Sequence, residues 1–217
     1  MMNWFDILEN TGIVPVVTAE DPSVSGPLAS ALISGGLGAA EITFRTPAAA
    51  SVIAGMREAE PGLLVGAGTV LGESDLREAL AAGACFVVAP GFNPKIAEAA
   101  LTAGVPFIPG IMTPTEIEAA MGMGFTALKF FPAEAAGGAR MLKAFSAPYR
   151  NVRFMPTGGI TLGNAADYLR LKCVFCCGGS FIADKDRLAR GDYDGIRETA
   201  AEVKRLVLRI RGGEDDV

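Results

Sequence analysis

The sequence predicts an α/β chain folded as one (β/α)8 TIM barrel. It spans residues 1–217 as a single domain, with an N-terminal helix in 1–11 and a polar tail over 212–217. Three observations predict this. Eight short apolar runs recur along the chain, their starts roughly 20–27 residues apart, which is the length of a βα unit with short loops. The segments between them carry helical periodicity and helix start and stop signals. The length of 217 residues suits one sizeable core, lies near the lower bound for a barrel and is short for two domains. A doubly wound open sheet is the alternative, because strand number alone does not require closure.

The elements follow in order. "MMNWFDILEN" places Trp4, Ile7 and Leu8 on one face of a short amphipathic helix. It has no basic n-region and no long apolar stretch, so a secretory leader is not expected. The strand candidates are "IVPVV" (13–17), "AAEIT" (39–43), "LLVGAG" (63–68), "CFVVAP" (85–90), "PFIPG" (106–110), "TALKFF" (126–131), "VRFMPT" (152–157) and "CVFCCG" (173–178). Among the helices, "PSVSGPLASALISGG" stops at a Gly pair, and "ESDLREALAAG" opens on acidic residues and stops at Gly83. "TPTEIEAAMGMG" offers Thr113 as N-cap, Pro114 at the first helical position and Glu116 three residues after the cap. The last helix, "DGIRETAAEVKRLVLRIR", runs into "GGEDDV".

Composition narrows the chemistry. The chain is 50% hydrophobic and 20% charged, the profile of a compact globule. A net charge of −5 argues against general nucleic-acid binding, which needs a basic face. No run is long and apolar enough for a transmembrane helix, and a cytoplasmic location is expected. There is no histidine, which removes Ser-His-Asp and Cys-His triads, His-ligated zinc and a histidine base. Four cysteines are present, Cys85, Cys173, Cys176 and Cys177. "CVFC" has redox or zinc spacing, but strand alternation sends Cys173 and Cys176 to opposite faces, so buried structural thiols are expected.

In a barrel the chemistry gathers at the C-terminal ends of the strands. Lys129 is an anomaly there, set between Ala127-Leu128 and Phe130-Phe131. Alternation aims Ala127, Lys129 and Phe131 inward and Leu128 and Phe130 toward the helices. Lys129 is then either a structural lysine paired with a carboxylate or a Schiff-base nucleophile. Only about one ordinary lysine amine in a few thousand is neutral at pH 7, and burial or a nearby cation raises that fraction. Glu41, inside the second strand, is a salt-bridge partner or a proton shuttle. Arg45 follows at that strand's end, where its planar fork suits a carboxylate, and Thr69 ends the third strand. The pairs Gly158-Gly159 and Gly178-Gly179 each follow a strand, and Ser180 adds a hydroxyl. Barrels often bind phosphate after strands seven and eight, although either pair alone is also an ordinary tight turn. No nucleotide fingerprint is present.

These residues stand in motifs that resemble the 2-keto-3-deoxy-6-phosphogluconate (KDPG) and 2-keto-4-hydroxyglutarate (KHG) aldolases, from about Gly12 to about Asp194. The motifs are "AEITFRTP", "VGAGTVL", "LKFFPAE", "PTGGI" and "GGS". The resemblance implies a class I aldolase with no metal or other cofactor, acting on a 2-keto acid phosphate and releasing pyruvate, and a homotrimer. It implies Lys129 as the Schiff-base lysine and Glu41 as the acid–base residue. Arg45 and Thr69 would hold the pyruvate carboxylate, with Pro90 and Phe131 lining that pocket. Thr157 would lie beside the substrate chain, and Gly158, Gly159, Gly179 and Ser180 at the phosphate. KHG and the galactonate-derived epimer are alternative substrates. A phosphate-binding isomerase or a non-catalytic sugar-phosphate sensor are more distant readings.

Overall fold

The computed structural model of the chain describes residues 3–212. Met1, Met2 and residues 213–217 of the expected polar tail lie outside the described residues. Helix α1 (Trp4–Thr11) is capped by Asn3, whose side chain accepts the Asp6 N–H. Strand β1 (Ile13–Val17) follows, then a 3-10 turn (Pro22–Val24) and α2 (Ser25–Ser34). Next come β2 (Ala39–Thr43), α3 (Ala49–Ala59), β3 (Leu64–Gly68) and α4 (Glu73–Ala81). The middle of the chain is β4 (Val87–Val88), α5 (Pro94–Ala103), β5 (Phe107–Ile108), β6 (Gly110–Ile111) and α6 (Pro114–Gly122). Then β7 (Ala127–Phe130), α7 (Gly138–Ser146), β8 (Arg153–Pro156) and α8 (Ala165–Leu169) follow. The chain ends with β9 (Cys177–Gly179), α9 (Lys185–Arg190) and α10 (Tyr193–Arg211). The capping box expected at α6 is formed in full by Thr113 and Glu116, with Pro114 at the first helical position.

All strand pairs are parallel, in a six-stranded sheet ordered β5-β4-β3-β2-β1-β9 and a three-stranded sheet ordered β6-β7-β8. This corrects the expected single closed ring of eight strands. The fifth run is split at Pro109, which has no N–H to give the ladder. Its carbonyl still accepts the Lys129 N–H at 2.8 Å. At the other seam, pairing is reduced to two isolated parallel bridges, Phe154↔Val174 and Thr157↔Gly178. The sheet is therefore curled, but its ladder is not continuous around the circle.

Side-chain alternation sorts the core into two layers. Ile42, Leu128, Phe130 and Phe154 join the large cluster that the helices cover. Val14, Ala39, Phe86, Val88, Ile108 and Met155 form a smaller cluster on the concave side. Leu8 is buried in that inner cluster, with Trp4, Phe5 and Ile7 packed against it, so α1 closes one end of the curl. The expected amphipathic face of α1 thus covers the inner core rather than joining the outer helix layer.

The eighth run departs from expectation. Only residues 177–179 are strand, so the alternation argued for Cys173 and Cys176 does not apply to Cys173, which lies in a turn. Cys176 and Cys177 are buried, while Cys85 and Cys173 are partly exposed, and all four are free thiols. Burial pushes the Cys177 thiol up to about 12, so it is a thiol and not a reactive thiolate at neutral pH.

Candidate active site

The site begins with two charged side chains that period-two geometry forces inward. Glu41 lies at the centre of β2 and Lys129 near the end of β7, and turning either outward would put a charge into the helix-covered layer in place of Ile42, Leu128 or Phe130. Lys129 Nζ donates to Glu41 Oε1 at 3.2 Å, with the two side chains 6% and 0% exposed. The other oxygen, Oε2, is buried without a hydrogen-bond partner from the protein. Such an acceptor is costly to leave unmade, which marks Glu41 as more than half of an ion pair. Lys129 Nζ also sits 5.6 Å from the centroid of the Phe131 ring.

Glycines make the space these side chains occupy. Glu41 is aligned with Gly66 of β3, and its carboxylate lies across Gly68. A Cβ at Gly68 would stand 2.6 Å from Glu41 Cδ and overlap Oε1. At Gly66 a Cβ would overlap the Phe86 ring. Gly110, the register partner of Lys129, lies against the Pro90 carbonyl in the same way. Glycine inside a strand marks close approach of another group, and that signal was present in "VGAG". The functional reason for each glycine required the three-dimensional neighbours.

Arg45 and Thr69 meet beside this pair. Arg45 Nε donates to Thr69 Oγ1 at 3.2 Å, and Arg45 is exposed at the rim. Thr69 has φ +57°, which places it in the left-handed region, costly for a β-branched residue. The turn that follows β3 thus holds its hydroxyl toward Arg45 at the expense of local strain. Above Glu41 on the same face, Thr43 shares a hydroxyl hydrogen bond of 2.9 Å with Thr18. Neither threonine was expected from the sequence, although Thr43 stands two residues from Glu41 and period two would have found it.

The glycine pairs divide in role. Gly158 and Gly159 both have positive φ, +100° and +78°. The Gly158 carbonyl accepts the Glu134 N–H at 3.1 Å, and Gly159 packs on the Glu134 side chain. The Tyr168 hydroxyl, in turn, donates to Glu134 Oε1, which holds the "FFPAE" turn against this loop. Thr157 is buried and bridges Gly178, and a Cβ at Gly178 would come 2.9 Å from Thr157 Cγ2. Gly179 instead pairs with Pro15 and faces Ile13 and Phe181, on the other side of the strand. Ser180 lines a cavity of about 200 Å³ together with Val16, Thr18 and Lys185. Pro90 and Phe131 are half-buried. The structure therefore brings Lys129, Glu41 and Phe131 into one cluster and Arg45 with Thr69 beside the Glu41 strand. Thr157 meets Gly178 at the seam.

Among the described residues no helix is long and apolar enough to cross a membrane. The family model for KDPG and KHG aldolase matches residues 5–199. The 2-dehydro-3-deoxy-phosphogluconate aldolase of Treponema pallidum is 45% identical over 207 residues, covering 95% of this chain and 99% of that protein. The KHG/KDPG aldolase of Escherichia coli K12 is 42% identical, covering 93% and 97%. The crystal structure of the Legionella pneumophila KDPG aldolase, with pyruvate captured as a covalent carbinolamine intermediate, superposes with a TM-score of 0.89. It is 36% identical and covers 93% of this chain and 98% of that one. A chain of this sequence, matched over nearly its whole length, belongs to the KDPG and KHG aldolase family, whose members are lyases.

Proposed function

We propose that this protein is a class I aldolase that cleaves KDPG to pyruvate and glyceraldehyde 3-phosphate through a Schiff base on Lys129. The observation that carries the reading is the buried Lys129–Glu41 contact of 3.2 Å, in a family that includes a relative with pyruvate captured covalently. Lys129 attacks the C2 ketone, and its proton passes to Glu41 Oε1. Glu41 returns that proton to the carbinolamine hydroxyl, which leaves as water, giving a protonated imine beside a free carboxylate. Glu41 takes the proton of the C4 hydroxyl, the C3–C4 bond breaks, and its electron pair moves to the imine as an enamine while the aldehyde leaves. The enamine is protonated at C3, and water releases pyruvate from Lys129. The protonated imine is the electron sink for C3–C4 cleavage, so the reading requires no metal and no other cofactor.

Arg45 and Thr69 are the proposed carboxylate clamp, with Pro90 and Phe131 walling the pyruvate end. Thr157 lies beside the substrate chain, and Gly158, Gly159, Gly179 and Ser180 are the proposed phosphate end. Within this reading the curled sheet acts as one (β/α)8 barrel, 1–217 is one domain, and the protein works in the cytoplasm as a homotrimer. Family membership supports these last points. The second reading is KHG cleavage, favoured by the family's joint description. Relative turnover of KDPG, its C4 epimer and KHG decides between them.

The direct test is incubation with pyruvate and borohydride followed by peptide mass analysis. A reduced pyruvyl adduct is expected on the peptide that holds Lys129. Its absence there would overturn the Schiff-base assignment and leave the isomerase and sensor readings standing. Gly68→Ala tests the Glu41 geometry separately. The added Cβ must push the carboxylate aside, costing about 1–3 kcal/mol of stability from overpacking. Turnover is expected to fall on the order of 10²-fold from misplacement of the acid–base group. Steady-state kinetics and a thermal melt read both effects, and unchanged turnover would mean that Glu41 need not stand where it does.

A further inference from the structure

Two threonines on the concave face take no part in the steps above. Thr43 stands two residues beyond Glu41 on β2, so it points the same way, and it is 1% exposed. It is aligned with Gly68, and the Glu41 carboxylate lies across Gly68. Thr43 and that carboxylate therefore share one level of the curl. Thr18 follows β1, where Val16 and Val17 are aligned with Glu41 and Ile42, and it continues that register to Thr43. The two threonine hydroxyls lie 2.9 Å apart. Thr46 Oγ1 donates to the Ala19 carbonyl at 2.5 Å, which ties the loops after β1 and β2 together beside the pair.

Cross-strand threonine pairs also occur as plain sheet contacts. The count of protons separates this one. Two hydroxyls carry two protons, and the bond between them uses one. Among the described residues neither hydroxyl has another hydrogen-bond partner, so one proton and several lone pairs are left over. Thr18 is half-buried and lines the cavity of about 200 Å³ that Val16, Ser180 and Lys185 also border. Valine has nearly the same shape and suits a strand wall without bringing a spare proton to that cavity.

The pair also lies where a substrate must pass. Glu41 and Lys129 mark the reacting end, and Ser180 marks the proposed phosphate end. Thr18 belongs to the wall between them, since it reaches Thr43 on one side and shares a cavity with Ser180 on the other. In KDPG the group between the C4 hydroxyl and the phosphate on C6 is the C5 hydroxyl. It can accept the spare proton and donate to a free lone pair, so a neutral hydroxyl pair matches it both ways. KHG carries a carboxylate at that carbon, which only accepts and would meet a single neutral donor.

We infer that the Thr18–Thr43 pair binds the C5 hydroxyl of the substrate and so selects a hydroxyl-bearing chain over KHG. The inference rests on the aldolase reading and names the residues that set its substrate class.

The test runs the reaction toward condensation, with pyruvate and either D-glyceraldehyde 3-phosphate or 3-oxopropyl phosphate. The second aldehyde keeps the phosphate and lacks only the hydroxyl that becomes the C5 hydroxyl. The full chain is expected to favour the first in kcat/KM by about tenfold or more, because a site that pairs a hydroxyl rejects the analogue without it. Thr18→Val and Thr43→Val each remove one hydroxyl at nearly constant shape. Each is expected to cut that preference by about three- to tenfold, the loss of one neutral hydrogen bond. Thr43→Ser keeps the hydroxyl and is expected to recover most of the preference. Disturbed packing around Glu41 would slow both aldehydes alike, and an equal fall for the two overturns the inference. So does a full chain that shows no preference. Borohydride trapping of pyruvate in the same preparations keeps the two readings apart. A full chain that traps no pyruvate overturns the aldolase reading and this inference with it. Normal trapping, with the preference unchanged in both valine variants, overturns this inference alone.

Discussion

Lys129→Ala is expected to lower kcat/KM for KDPG on the order of 10⁵-fold and to abolish borohydride trapping of pyruvate. Loss of a covalent nucleophile has an effect of that size because no other group supplies the same intermediate. The remaining lysines, Lys95, Lys143, Lys172, Lys185 and Lys204, do not share its setting, since none stands in a strand beside a buried carboxylate. The change also strands Glu41 as a buried charge, at a cost of about 3–5 kcal/mol. A parallel Lys129→Gln variant separates the two effects. Its amide still donates to Glu41, so the melting temperature recovers while the trapping does not. Retained trapping in either variant would move the nucleophile elsewhere.

Glu41→Gln is expected to reduce kcat by about 10²–10⁴-fold, the range for a positioned general acid–base group, with pyruvate still trapped on Lys129 at a reduced rate. The glutamine carbonyl keeps the contact to Lys129 Nζ but cannot hold a proton. The loss falls on the steps that move one: formation of the neutral amine, C4–OH deprotonation and protonation of the enamine. Single-turnover kinetics locate it. A purely structural Glu41 would give a lower melting temperature with an unchanged kcat for the folded fraction, and that result would remove it from the mechanism.

The strands and the two central residues were legible in the sequence because both rest on local patterns. Runs of β-branched and apolar residues match the observed strands closely in "IVPVV" and "AAEIT", both coinciding with β1 and β2 in full. The parity of "TALKFF" placed Lys129 opposite Leu128 and Phe130, as observed. Shorter strands were overcalled. "CFVVAP" yields only Val87–Val88, and "CVFCCG" makes an isolated bridge at Val174 and becomes strand only at Cys177. An apolar run records burial, and burial on both faces of a curl does not require ladder hydrogen bonds. The split at Pro109 follows from the missing N–H, a local fact whose consequence for closure depends on neighbouring strands.

The sequence by itself determined that this chain builds parallel βα units, that Lys129 and Glu41 are inward-facing charges in apolar strands, and that its chemistry runs without histidine. Those properties depend on residue type and on a period of two, and both are written along the chain. Only the tertiary structure decided that Lys129 and Glu41, 88 residues apart, approach to 3.2 Å. It alone showed that Gly68 exists to clear the Glu41 carboxylate and that Thr69 is strained toward Arg45. These are contacts between strands and helices far apart in sequence. Their geometry is set by how the sheet curls and how closely backbones approach, and no local pattern encodes either.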